Sequence, residues 1–174
     1  MIEVVIDSVR VSLMTQHRLV VLKDLNSERY LTIFIDAAVA EAITNELHQQ
    51  KTPRPMTHDL LHDIIRELGG TVLHVLINKV QRDIYFARIV LESEGREVDI
   101  DSRSSDAIAL AVRAQVPIYV DARVMERVAM SPDAHVIAED EDEEEEIAVD
   151  EGRLSVFTDF VNTLKLDENE DDES

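Results

Sequence analysis

Between residues 97 and 120 the chain reads EVDIDSRSSDAIALAVRAQVPIYV, and Asp99, Asp101, Arg103, Ser105 and Asp106 crowd into eight positions of it. Carboxylate oxygens hold hard divalent cations, so Asp101 and Asp106, with Asp99 as a supporting ligand, suit Mg²⁺ or Mn²⁺. Charge that builds on a phosphate in a transition state also needs fixed positive partners, which Arg103 and the amides of a helix start can supply. Ser105 adds a hydroxyl for the phosphate. The same residue types also occur on a solvated strand face followed by an ordinary helix start, and spacing alone leaves both readings open. A second constellation is His58-Asp59-Leu60-Leu61-His62-Asp63. Histidines four apart share a helical face and can chelate a metal, but the glutamate of the zinc-protease motif is missing between them. His58 acting singly as acid or base, with Arg54 close by in the preceding loop, is the more economical chemistry, because imidazole titrates near neutrality.

The elements that must hold these groups can be read from periodicity. Val98 and Ile100 alternate with Glu97, Asp99 and Asp101, the period-two signature of a strand with one apolar and one acidic face. The helix that follows buries Ala107, Ile108, Leu110, Ala111 and Ala114; Ser104 or Ser105 is expected to cap it, and Asp106 to sit favourably against its dipole. Strands are expected over residues 2–14, 19–22, 30–35, 72–80, 84–91, 96–101 and 117–120, and a helix from Asp36, its N-cap, to about Gln49. Pro53 and Pro55 make an extended loop that carries Arg54, after which Thr57 is expected to cap a helix ending at Gly69-Gly70. Leu60, Leu61, Ile64, Ile65 and Leu68 form an apolar stripe on that helix, opposite His58, Asp59, His62, Asp63, Arg66 and Glu67. The expected fold class is α+β, a compact mixed sheet with helices packed on it, followed by an acidic linker and a C-terminal helix.

The net charge of −20 is unevenly spread. Residues 1–137 carry 15 Lys and Arg against 20 Asp and Glu, whereas residues 138–174 carry 2 against 17. The nearly balanced part is read as one domain over 1–137. The rest divides into an acidic linker over 138–152, an amphipathic helix over 153–166 with Leu154, Phe157, Phe160, Val161 and Leu164 at helical spacing, and an acidic tail over 167–174. The chain has no cysteine, which excludes disulfides, thiolate catalysis and cysteine-ligated zinc. It has no Gly-rich phosphate loop, no GxGxxG and no GxSxG elbow. With no tryptophan and 4% aromatics, a broad stacking platform for single strands is disfavoured. No stretch reaches the roughly 18 apolar residues of a membrane span and no secretory leader pattern opens the chain, so no membrane association and a cytoplasmic location are expected.

Two segments together resemble the bifunctional nuclease family. They are Arg54-Pro55-Met56-Thr57-His58-Asp59-Leu60-Leu61 with its helix closing at Leu68-Gly69, and Asp101-Ser102-Arg103-Ser104-Ser105-Asp106-Ala107-Ile108-Ala109-Leu110-Ala111. The likeness covers roughly residues 2–130 and includes the closing Pro117-Ile118-Tyr119-Val120; the family usually has proline where this chain has Ser104. The resemblance implies a compact α+β domain that associates as homo-oligomers and hydrolyses DNA and RNA. Carried over by position, it marks Arg54, Thr57, His58 and Asp59 in the first motif and Asp101, Arg103, Ser105 and Asp106 in the second.

The expected activity is therefore a nuclease of low sequence specificity, with His58, Asp59, Asp101 and Asp106 as catalytic groups and Arg54, Arg103 and Ser105 on substrate phosphate. A divalent metal, Mg²⁺ or Mn²⁺, would rest on Asp101 and Asp106 with Asp99. The alternative is a non-catalytic interaction module whose acidic tail engages a protein partner. One geometric criterion follows: the two motifs must face each other in one place.

Overall fold

The computed structural model describes residues 1–11 and 17–130. The expected linker, C-terminal helix and acidic tail over 138–174 lie outside the described residues. Seven strands form one sheet: β1 (Ile2–Val11), β2 (Arg18–Asp24), β3 (Tyr30–Ile35), β4 (Gly70–Gln81), β5 (Ile84–Ser93), β6 (Arg96–Arg103) and β7 (Ile118–Val120). Their order is β3-β2-β1-β7-β4-β5-β6. Two antiparallel meanders, β1–β3 and β4–β6, are thus joined through the three-residue β7, antiparallel to β1 and parallel to β4. The helices are α1 (Ala37–Leu47), α2 (Thr57–Glu67), α3 (Ser104–Ala114) and α4 (Ala122–Val128). This is the α+β class expected, a mixed sheet with helices packed on it.

Alternation dictates the core. Val20, Leu22, Leu31, Ile33, Val75, Ile77, Ala87 and Ile89 face inward at every second position and join one buried cluster. α3 lies at the centre of that cluster. Ala107, Ile108, Ala109, Leu110 and Ala111 are all buried, which an ordinary amphipathic helix would not allow. The small alanines let it touch α1 and α2 on one side and β3, β4, β5 and β6 on the other, so the sheet curls round it.

Capping departs from expectation at two of three helices. Asp36 caps α1 as expected, its carboxylate accepting from the Val39 amide at 2.9 Å. At α2 the N-cap is Met56 rather than Thr57, and Asp59 in the first turn reaches back to accept from the Met56 amide at 2.7 Å. A carboxylate at the third helical position makes this reach and also meets the positive end of the dipole. At α3 the helix already includes Ser104 and Ser105; Arg103 is the N-cap, and no side chain caps the first turn.

The apolar stripe of α2 does not sink into the core: Ile65 packs there, while Ile64 is 46% and Leu68 79% exposed, and Leu60 and Leu61 are exposed too. The buried residue of the helix is His58, from the side read as polar. Gly70 permits the seating of Ile65, since a Cβ on it would stand 3.1 Å from Ile65 Cγ2.

Candidate active site

The two motifs meet. His58, in the first turn of α2, directs Nε2 to within 3.1 Å of the Asp106 carboxylate in the first turn of α3. A carboxylate can only accept here, so Nε2 carries a proton, and in the neutral imidazole Nδ1 keeps its lone pair. Asp106 in turn accepts from Arg103 Nε at 2.7 Å and from its terminal nitrogen at 3.1 Å. Arg103 also lies 3.6 Å from the Asp36 carboxylate that caps α1. Imidazole, carboxylate and guanidinium form a chain running outward, from a buried His58 through a partly exposed Asp106 to a mostly exposed Arg103. Burial opposes ionisation of Asp106, but the hydrogen bonds from Arg103 and His58 outweigh it and hold its carboxyl below the ordinary carboxylate value. The same bond pushes Arg103 above its ordinary value. Asp106 is therefore an anion at neutral pH and a fixed orienting partner for the imidazole.

A second contact lies further along the same helices. Asp59 accepts from Nε of Arg113, whose other nitrogens donate to the Ala109 carbonyl at 2.9 Å and the Ala42 carbonyl at 3.0 Å. The Arg113 side chain is buried and ties α1, α2 and α3 together. Burial opposes ionisation of Asp59, yet the Met56 amide and Arg113 lower its carboxyl below the ordinary value. Both Asp59 oxygens are thus engaged in holding helices. Sequence reading puts Asp106, Ala109 and Arg113, at positions i, i+3 and i+7, on one helical face but gives Arg113 no role. Asp36 was read as a cap alone, and its second role as a partner of Arg103 had no signal in the sequence.

The remaining candidates form no hydrogen bond or ion pair with His58 or Asp106 among the described residues. Asp99 and Asp101 lie on the face of β6 opposite Val98 and Ile100; Asp99 pairs with Arg88 at 2.8 Å, and Asp101 stands across the strand from the same arginine. The Asp106 carboxylate is already engaged by His58 and Arg103. Among the described residues no group of three His, Asp or Glu side chains is placed to share a metal ion. His62 joins no such group either. Arg54 is exposed in its loop and makes no ion pair among the described residues; its carbonyl accepts from Thr52 Oγ1 at 2.7 Å. Thr57 is exposed, and Ser105 is buried in the first turn of α3. No helix among the described residues is long and apolar enough to cross a membrane.

Comparison with known proteins points the same way. The model of the bifunctional nuclease domain matches residues 20–133. An uncharacterised protein of Mycobacterium tuberculosis is 32% identical over 166 residues, covering 95% of this chain and 96% of its own, a match that runs beyond the end of the domain. Bifunctional nuclease 1 of Oryza sativa subsp. japonica is 30% identical over 112 residues, covering 62% of this chain and 34% of the rice protein. Bifunctional nuclease 2 of Arabidopsis thaliana is 35% identical over 71 residues, covering 39% and 22%. The chain therefore spans about a third or less of these plant relatives. With the domain matched across most of its length and both motifs joined at His58 and Asp106, the chain belongs to the bifunctional nuclease domain family.

Proposed function

We propose that this domain hydrolyses phosphodiester bonds of DNA and RNA with little sequence preference, using His58 and Asp106 as its acid–base pair. The observation that carries the reading is the 3.1 Å contact between them, which joins motifs 48 residues apart. Asp106 fixes the tautomer and orientation of the imidazole; Nδ1 takes the proton of the attacking water as its oxygen bonds to phosphorus. The leaving oxygen departs with a proton returned by the imidazolium. Arg103, mostly exposed beyond its bonds to Asp106, meets the non-bridging oxygens, in competition with Asp106 and Asp36. Arg54 and Ser105 assist on phosphate, and the acid–base step runs on groups of this chain alone.

The test is cleavage of labelled DNA and RNA by purified protein, with Mg²⁺, Mn²⁺ or chelator. His58→Ala should lower the rate by about 10²- to 10⁴-fold, the usual contribution of a positioned acid–base group. Asp106→Asn should lower it comparably, whereas Asp99→Asn and Asp101→Asn should cut like the wild type. If His58→Ala and Asp106→Asn cleave normally, or wild type cleaves nothing, the assignment is wrong. A cytoplasmic location and association of identical copies belong to the same reading. The exposed stripe of α2 supports the latter, since large apolar side chains grouped on one helix face commonly mark an interaction surface. Light scattering should give a mass above 19.7 kDa for the wild type and a smaller one for Ile64→Glu.

A further inference from the structure

A cleft of about 290 Å³ opens between the end of β3, the start of β5 and the junction of β6 with α3. Ser104 and Ser105 line it, 5% and 7% exposed, and neither hydroxyl has a hydrogen-bond partner among the described residues. Neither Oγ is among the buried polar atoms left without a partner, so both are open to the cleft, beside a helix start without a side-chain cap, and can donate to an oxygen that enters it. An anionic oxygen suits them. On the rim stand Phe34 and Ile84, 67% and 60% exposed, an aromatic ring on which a base can stack and an aliphatic side chain beside it. Asp36 and Asp83 also line the cleft, and they discriminate. Two carboxylates repel a free phosphate dianion but accept from sugar hydroxyls and base amino groups, so a singly charged diester fits better than inorganic phosphate.

We propose that this cleft is a nucleotide subsite of the nuclease, with a diester oxygen on Ser104 and Ser105 and a base against Phe34 and Ile84. Arg103 lines the same cleft and bonds Asp106, so the subsite would deliver the neighbouring linkage to His58. The inference rests on the nuclease reading and is tested apart from it by binding. Calorimetry with the full chain would use an adenosine dinucleotide with a phosphorothioate linkage, its uncharged methylphosphonate counterpart, and inorganic phosphate. Cleavage of long RNA and unfolding midpoints would be followed in parallel. The phosphorothioate should bind more tightly than the other two. Phe34→Ala should weaken it roughly tenfold, as loss of one base-stacking side chain does. The double variant Ser104→Ala/Ser105→Ala should weaken it while keeping the wild-type unfolding midpoint. Wild-type affinity in both variants overturns the subsite, and if RNA is still cleaved the nuclease reading stands without it. Affinities that fall as expected in a protein that cleaves no RNA keep the cleft as a nucleotide site and remove the nuclease.

Discussion

Asp59 and Asp106 stand one turn into their helices, and each is ionised against the pull of burial by the partners it holds. Buried Asp24 does the same through Ser27, the Asn26 amide and Arg29. A carboxyl depressed in the folded state stabilises fully above its unfolded value of about 3.9 and loses that contribution as pH falls through the folded value. The stability of the domain should therefore hold from neutrality down to about pH 4 and fall below it. For Asp59→Asn, thermal unfolding should show a deficit against wild type at pH 6 that shrinks steadily on acidification beyond about pH 4. A deficit constant with pH would show that Asp59 acts through shape rather than charge. Arg113 is the less forgiving partner. Its removal strands a partly buried carboxylate and two carbonyls, and breaking a buried pair in this way costs about 3–5 kcal/mol.

At the scale of elements, the site is a crossing of two helices. α2 lies on the face of α3 that carries Asp106, Ala109 and Arg113, with fully buried Ala109 between the two ion-paired contacts. A larger side chain there must lift α2 away. Ala109→Leu should cost about 1–3 kcal/mol by overpacking and should depress cleavage further than Asp101→Asn, because it parts His58 from Asp106. Normal cleavage with normal stability would show that the crossing is not what aligns the pair. Much of this was legible beforehand. The alternation of residues 72–100 and the alanine-rich run after Asp106 gave strands and a packed helix within a few residues of their ends. Legible too were both motifs. The orientation of α2 was not, because amphipathicity sorts residues onto two faces without saying which face docks. Here the bond from His58 to Asp106 and the one Asp59 accepts from Arg113 turn the first turn of α2 towards α3, and only Ile65 of the apolar stripe packs on the core. Cap positions failed for a related reason: Ser104, Ser105 and Thr57 suit either the cap or the first helical turn.

Across the whole molecule, β3 and β6 are the two edges of the sheet. β6 has no second strand partner among the described residues, and Val98 and Ile100 are partly exposed on its inner face. Such an edge is a template on which other chains stack. Glu97, Asp99 and Asp101 occupy alternate positions on its other face, so two copies pairing edge to edge with matched faces would set carboxylates against carboxylates. Glu97→Thr with Asp101→Thr spares the Asp99–Arg88 pair; it should leave the unfolding midpoint near that of wild type and bring on turbidity at lower protein concentration. Equal solubility would remove the idea. On this reading Glu97, Asp99 and Asp101 also serve the sheet, because like charges at alternate positions make a second β6 a poor neighbour along the open strand.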